Sequence, residues 1–178
     1  MGVLRSAKHL GIIACVLLGV GSLVQSAQLK HGDGEADGKK SLGGSGEVIQ
    51  FSIAEESSKL SGIRIHGSRY GMPEAPREGF LIYILSEDMT EIISTQIAPY
   101  SLFERGPEKW VEVGFRKPVA VPNKFWVALD FRAGRSKGVY VSYDSSTDGM
   151  RSRVGLPGIE LKQPDFAGDW MIEATLVD

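Results

Sequence analysis

From Glu47 onward, apolar and polar positions alternate with a period of two, the spacing of strands that bury one face. Ile49, Phe51 and Ile53 have polar neighbours, and Ile63 and Ile65 are separated by Arg64 and followed by His66. Val111, Val113 and Phe115 repeat the pattern. So do Phe125, Val127, Leu129 and Phe131, then Val139, Val141 and Tyr143, and finally Trp170, Ile172, Ala174 and Leu176. Phe80 to Leu85 is apolar on both faces, as in a central strand, and Glu91 to Ile97 returns after the turn at Ser86 to Thr90 as a hairpin partner. Gly, Pro, Asn or Asp clusters bound most of these runs. No long segment keeps an apolar period of 3.6, and at most one helical turn is expected near Ser101 to Glu104.

About eight strands with long turn-rich connections predict an all-β domain over 47–178. The expected form is a single antiparallel β-sandwich of jelly-roll or Greek-key type, closed by docking the C-terminal strand into a sheet. Residues 28–46 read as a flexible Gly-rich linker. Leu29 and Leu42 are its only large apolar residues, too few to order it by burial. Asp33, Glu35, Asp37 and Gly38 imitate the opening of a calcium-binding loop, but Gly44 stands where the bidentate glutamate is required.

Residues 1–27 form the pattern of a secretory signal peptide. Arg5 and Lys8 make a basic head, Leu10 to Val24 is apolar, and Ser26 or Ala27 offers a cleavage point. The apolar run is shorter than the roughly 20 residues of a spanning helix. A lipoprotein reading of Ile12 to Cys15 fails because Val16-Leu17-Leu18, not a polar tether, would follow the cysteine. The expected location is therefore periplasmic or secreted, with no membrane span after cleavage and no cysteine left, since Cys15 lies in the leader.

Cleavage removes two cations and no acid, moving the formal charge from −2 to −4. That balance excludes nucleic acid as an expected partner, because phosphate binding needs a basic surplus. Of three histidines only His66 lies in the expected folded part, too few for a multi-histidine zinc site, and no Gly-x-Ser-x-Gly elbow is present. Nothing implies a cofactor. Asp144 and Asp148, in an Asp/Ser-rich turn, offer calcium two carboxylates plus backbone carbonyls toward the roughly six to eight oxygens it takes, and the alternative is an Asp/Ser-rich turn without metal.

If Phe125, Val127, Leu129, Val139 and Val141 point inward, Trp126 and Tyr140 point outward, and Trp110 does so opposite Val111 and Val113. Such rings could stack on sugars, with Asp144 or Asp130 at the edge to bind hydroxyls. The alternative is that loops cover them as a second, smaller core. Asp130 and Asp144 could also form a glycosidase pair if their strands are neighbours. Arg69 and Arg105 could grip a carboxylate or sulfate, or tie loops down through backbone carbonyls.

Ser68-Arg69-Tyr70-Gly71, Pro99-Tyr100-Ser101 through Phe103 to Arg105-Gly106, Trp110 and Lys137-Gly138-Val139-Tyr140-Val141 form a recurring set. Tyr143-Asp144, Gly155-Leu156-Pro157-Gly158 and Gly168-Asp169-Trp170-Met171-Ile172 complete it. From Glu47 to the C-terminus the chain resembles an uncharacterised family of exported bacterial β-sandwich domains. The resemblance implies that fold and an extracytoplasmic location, without an established activity. The leading expectation is a non-catalytic module binding polysaccharide or another envelope component, for instance an envelope protein, through Trp126, Tyr140, Trp110, Asp144, Asp130, Arg69, Tyr70 and Arg105. A structural or protein-interaction domain and a two-carboxylate glycosidase are the alternatives.

Overall fold

A computed structural model describes residues 26–54 and 59–177. The expected leader up to Gln25, Cys15 included, lies outside the described residues. Ser26 and Ala27, the expected cleavage points, fall in the first strand.

The chain is an all-β sandwich of two antiparallel sheets. In order the strands are β1 (Ser26–Leu29), β2 (Gly38–Lys40), β3 (Glu47–Ser52), β4 (Lys59–Gly71), β5 (Gly79–Leu85) and β6 (Ile92–Pro99). A 3-10 turn at Tyr100–Leu102 precedes β7 (Lys109–Ala120), β8 (Lys124–Asp130), β9 (Lys137–Asp144), β10 (Ser152–Val154), β11 (Asp169–Trp170) and β12 (Ile172–Val177). The first sheet runs β1-β12-β4-β9-β11, with β2 on the far edge of β9 and β7 on β4; the second runs β10-β3-β8-β5-β6.

Alternation places the core as expected. Ile49, Phe51, Phe125, Val127 and Leu129 from one sheet meet Ile63, Ile65, Val139, Val141 and Ile172 from the other, all essentially inaccessible. At about 25 cal/mol per Å² of apolar area removed from water, this layer drives folding. The hairpin of β5 and β6 forms, β5 lies inside its sheet, and the C-terminal β12 is held between β1 and β4. Among the described residues no helix is long and apolar enough to cross a membrane.

The linker expected over residues 28–46 requires correction. β1 pairs with β12 over four residues and β2 pairs with β9 over three. Between them, Gly34 N–H donates to Asp144 (3.0 Å), Asp33 N–H to the Ser146 hydroxyl (3.1 Å), and Ser145 N–H to Asp37 (2.8 Å). The segment is fixed largely by backbone pairing and carboxylate hydrogen bonds, which hydrophobic patterning does not register. It forms a strap across the end of the first sheet, with Leu29 and Leu42 packed partly on the core.

Candidate functional site

The outer face of the first sheet carries an open cleft of about 410 Å³, lined by Lys39, Ser68, Arg69, Tyr70, Arg105, Gly106 and Tyr140. Strand register builds its floor. In the β4–β9 pair Ser68 lies opposite Tyr140 and Tyr70 opposite Gly138, so all three side chains leave the same face. The Tyr70 and Tyr140 rings meet at 4.7 Å between centroids, tilted by 38°. A β-carbon at position 138 would overlap the Tyr70 ring, so Gly138 makes the space in which that ring lies. The Tyr70 hydroxyl donates to the Gly134 carbonyl (3.1 Å) and accepts from Ser41 (3.1 Å), fixing the ring at its far end.

One wall comes from β2. Lys39 places its ammonium 5.2 Å from the Tyr140 ring centre and pairs with Glu108, which also accepts from the Ser68 hydroxyl (2.7 Å). Partial burial pushes the Glu108 carboxyl up, but the hydrogen bonds from Lys39 and Ser68 prevail and hold it below its ordinary value. The opposite wall is the loop after β6. Tyr100 and Phe103 sink into an aromatic cluster with Phe80 and Phe131, at centroid distances of 4.7 to 6.4 Å, and so anchor the segment that presents Arg105. Gly106 turns this loop with φ of 112°, a region a side chain disfavours. Burial pushes the Tyr100 hydroxyl up to about 12.

Arg69 serves this wall from beneath. Its guanidinium donates to the carbonyls of Met72 (2.5 Å), Pro73 (2.8 Å), Glu74 (3.4 Å) and Phe103 (3.4 Å). Of the two roles open to it, Arg69 takes that of tying loops through backbone carbonyls, and its fork does not face outward for an external carboxylate. Its donors hold two loops, and its ligands are neutral dipoles. Arg105 is exposed at the cleft rim, and none of the ion pairs among the described residues involves it.

Trp110 shares the outer face but borders an adjoining depression of about 250 Å³ with Lys109 and Glu112. Arg64 lies over its ring at 4.9 Å and His66 meets it at 5.2 Å. His66 Nδ1 is 2.8 Å from the Ser142 hydroxyl; Ser142 is sealed from solvent and partial burial lowers the His66 pKa, so this pair serves as packing.

Trp126 does not join them. It faces away from the main core, as alternation requires, but from β8 on the second sheet, whereas Tyr140 is on the first. The two rings therefore lie on opposite outer faces, and the expected side-by-side platform is corrected. Trp126 is 6% exposed, packed with Val48, Leu85 and Ala128 under Tyr83, Met89 and Leu161, and its indole N–H donates to the Glu87 carbonyl (2.9 Å). This is the second, smaller core that formed the alternative.

The two acids also separate. Asp130 ends β8 on the second sheet and accepts from Arg132 N–H (2.8 Å), whereas Asp144 ends β9 on the first sheet. Their strands are not neighbours, so the paired-carboxylate geometry is corrected. Asp144 is buried beneath the strap, accepting from Gly34 N–H and from the Ser146 amide (2.9 Å) and hydroxyl. Burial pushes its carboxyl up, but these hydrogen bonds win and keep it below the usual range. It ties the strap rather than edging the cleft. Asp148 is exposed, accepting from Met150 N–H (3.0 Å), and among the described residues no group of three or more acids or histidines is placed to hold a metal ion.

The structure thus unites Tyr70, Tyr140, Arg69 and Arg105, sets Trp110 beside them, and removes Trp126, Asp130 and Asp144. Sequence reading missed Lys39 and Glu108. Lys39 sits in a three-residue strand too short to show a period, and Glu108 is one acid in a charged stretch. The chain matches no protein-family model, and no curated protein matches it.

Proposed function

We propose that the protein is a non-catalytic, exported β-sandwich module that binds carbohydrate or another envelope component at the Tyr70–Tyr140 cleft. The observation that carries this reading is the packing of two partly exposed tyrosines on the floor of an open cleft whose rim is polar and cationic. Aromatic faces stack on the C–H faces of sugar rings, and surrounding polar groups take the hydroxyls. The leader pattern of residues 1–27 supports export to the periplasm or beyond.

Affinity electrophoresis in gels cast with soluble polysaccharides tests it. The protein should be retarded by at least one polymer, and Tyr140→Ala should abolish the retardation while leaving the unfolding midpoint within a few degrees. No retardation by any polymer, or retardation indifferent to Tyr140→Ala, rejects the reading. The enclosure of Trp126 favours a second reading, a structural or protein-interaction domain whose outer rings serve packing. That reading requires Tyr70→Ala and Tyr140→Ala to destabilise strongly and a partner to be recovered with the protein from the envelope.

A further inference from the structure

The charge around the cleft narrows the ligand beyond carbohydrate in general. Three cations line it, Lys39, Arg69 and Arg105, and no carboxylate does. Only Lys39 is neutralised, by Glu108 just outside the lining. Arg69 spends its donors on uncharged carbonyls, so its positive charge persists beneath the floor without a counter-ion. Arg105 stands at the rim with a fork of donors and no acid paired to it among the described residues. Two cations without an acid partner among the described residues, Arg69 and Arg105, thus stand beside the floor on which Tyr70 and Tyr140 pack.

We infer that the cleft takes an acidic saccharide, a sugar ring bearing a carboxylate, with the ring against Tyr140 and Tyr70 and the carboxylate on Arg105. This inference rests on the binding reading of the same cleft. Lys39 adds selectivity. Its ammonium stands 5.2 Å from the Tyr140 ring centre, held by Glu108, where a carboxylate on the bound sugar gives it a second acceptor and a neutral sugar does not. The volume, about 410 Å³, lies within the range of about 300 to 1,000 Å³ usual for small-ligand sites and suits a short saccharide.

Titration calorimetry of the protein with tri-galacturonate and with the neutral galactose trisaccharide, each at low and high salt, tests this. The uronate should bind at least about tenfold tighter at low salt, the scale of one hydrogen bond to a charged group, and the advantage should shrink as salt rises. Arg105→Gln should reduce the uronate to the neutral level, Arg105→Lys should recover part of the difference, and neither should move the unfolding midpoint because Arg105 is exposed. Tyr140→Ala should remove binding of both sugars. Equal affinity for the two, both lost in Tyr140→Ala, overturns the acidic specificity and leaves the cleft as a neutral-sugar site. Uronate binding that ignores both Arg105→Gln and Tyr140→Ala overturns the assignment to this cleft, and absence of binding by either sugar overturns the inference together with the reading beneath it.

Discussion

The ring of Tyr70 lies across Gly138, its partner on the neighbouring strand, in the space that a side chain at 138 would fill. The glycine in Lys137-Gly138-Val139-Tyr140 therefore serves an aromatic ring on another strand rather than a turn. Gly138→Ala forces the ring off its position, and overpacking of this kind costs roughly 1–3 kcal/mol. In a Tyr70→Ala background the same change should cost close to nothing, because the overlapping atoms are gone. Chemical denaturation of the four proteins measures that coupling; equal costs in both backgrounds would show that Gly138 is required for another reason.

Trp126 behaves in the opposite way to Tyr140. Trp126→Ala empties the small core beneath Met89 and Leu161 and should destabilise by roughly 3–5 kcal/mol. Trp126→Phe keeps most of the packing and loses the bond to the Glu87 carbonyl, a cost of about 1 kcal/mol. On the proposed binding reading, folded Trp126→Phe should be retarded by polysaccharide to the same extent as the parent. A loss of binding without a loss of stability would return Trp126 to the site.

These two residues show how much was legible. Alternation correctly turned Tyr140 and Trp126 away from the main interior, because the pleat fixes side-chain direction locally. Whether an outward ring meets water depends on which distant loop folds over it. Tyr83, Met89 and Leu161 close over Trp126, and Leu161, far along the chain, has no local signature. The same holds for neighbours. Tyr70 and Tyr140 come together only through the β4–β9 register, and Asp130 parts from Asp144 because β8 and β9 enter different sheets. Strands β3, β4, β5, β8, β9 and β12 were readable because each buries a face; β1 and β2 were not, because they are held by backbone pairing and acid caps.

Glu47 makes stability depend on pH in a predictable direction. It begins β3 between Leu129 and Val154 and is 2% exposed. Burial is the main cause that raises its pKa to about 8; Asp130 adds to it, and the N–H groups of Glu47 and Leu42, which favour the anion, do not offset it. The folded protein therefore keeps a proton that the unfolded chain releases near the ordinary value of 4.5. The contribution is fully present below that value, declines as pH rises, and is exhausted above about 8. At ~1.36 kcal/mol per pH unit the change reaches at most about 5 kcal/mol. Glu47→Gln imitates the protonated acid, so the parent should lose stability relative to the variant across this window. Parallel pH profiles for the two proteins would show that the carboxyl titrates normally.

His31 holds the strap with the opposite sign. Its ring stacks on Phe51 at 5.3 Å, and Nε2 lies 3.0 Å from the Gln50 carbonyl. Burial lowers its pKa and the charge of Arg151 adds to this, while the Gln50 hydrogen bond, Asp169 and Asp148 pull the other way without prevailing. The unfolded chain thus takes up a proton near pH 6.5 that the folded state resists, so this contribution is complete above 6.5 and is lost as pH falls toward the lowered folded value. His66 shares the direction and Glu47 opposes it, so the effect must be read as the difference between the parent and His31→Phe, which keeps the stack and cannot titrate. Between pH 7 and 5 the parent should lose stability relative to the variant. The loss should be accompanied by weaker protection of the Gly34 amide from exchange, measured against its intrinsic rate at each pH; that N–H bonds Asp144 beneath the strap. A protection factor at Gly34 that stays constant over this range in the parent would mean that Asp144 and the β2–β9 pairing hold the strap without help from His31.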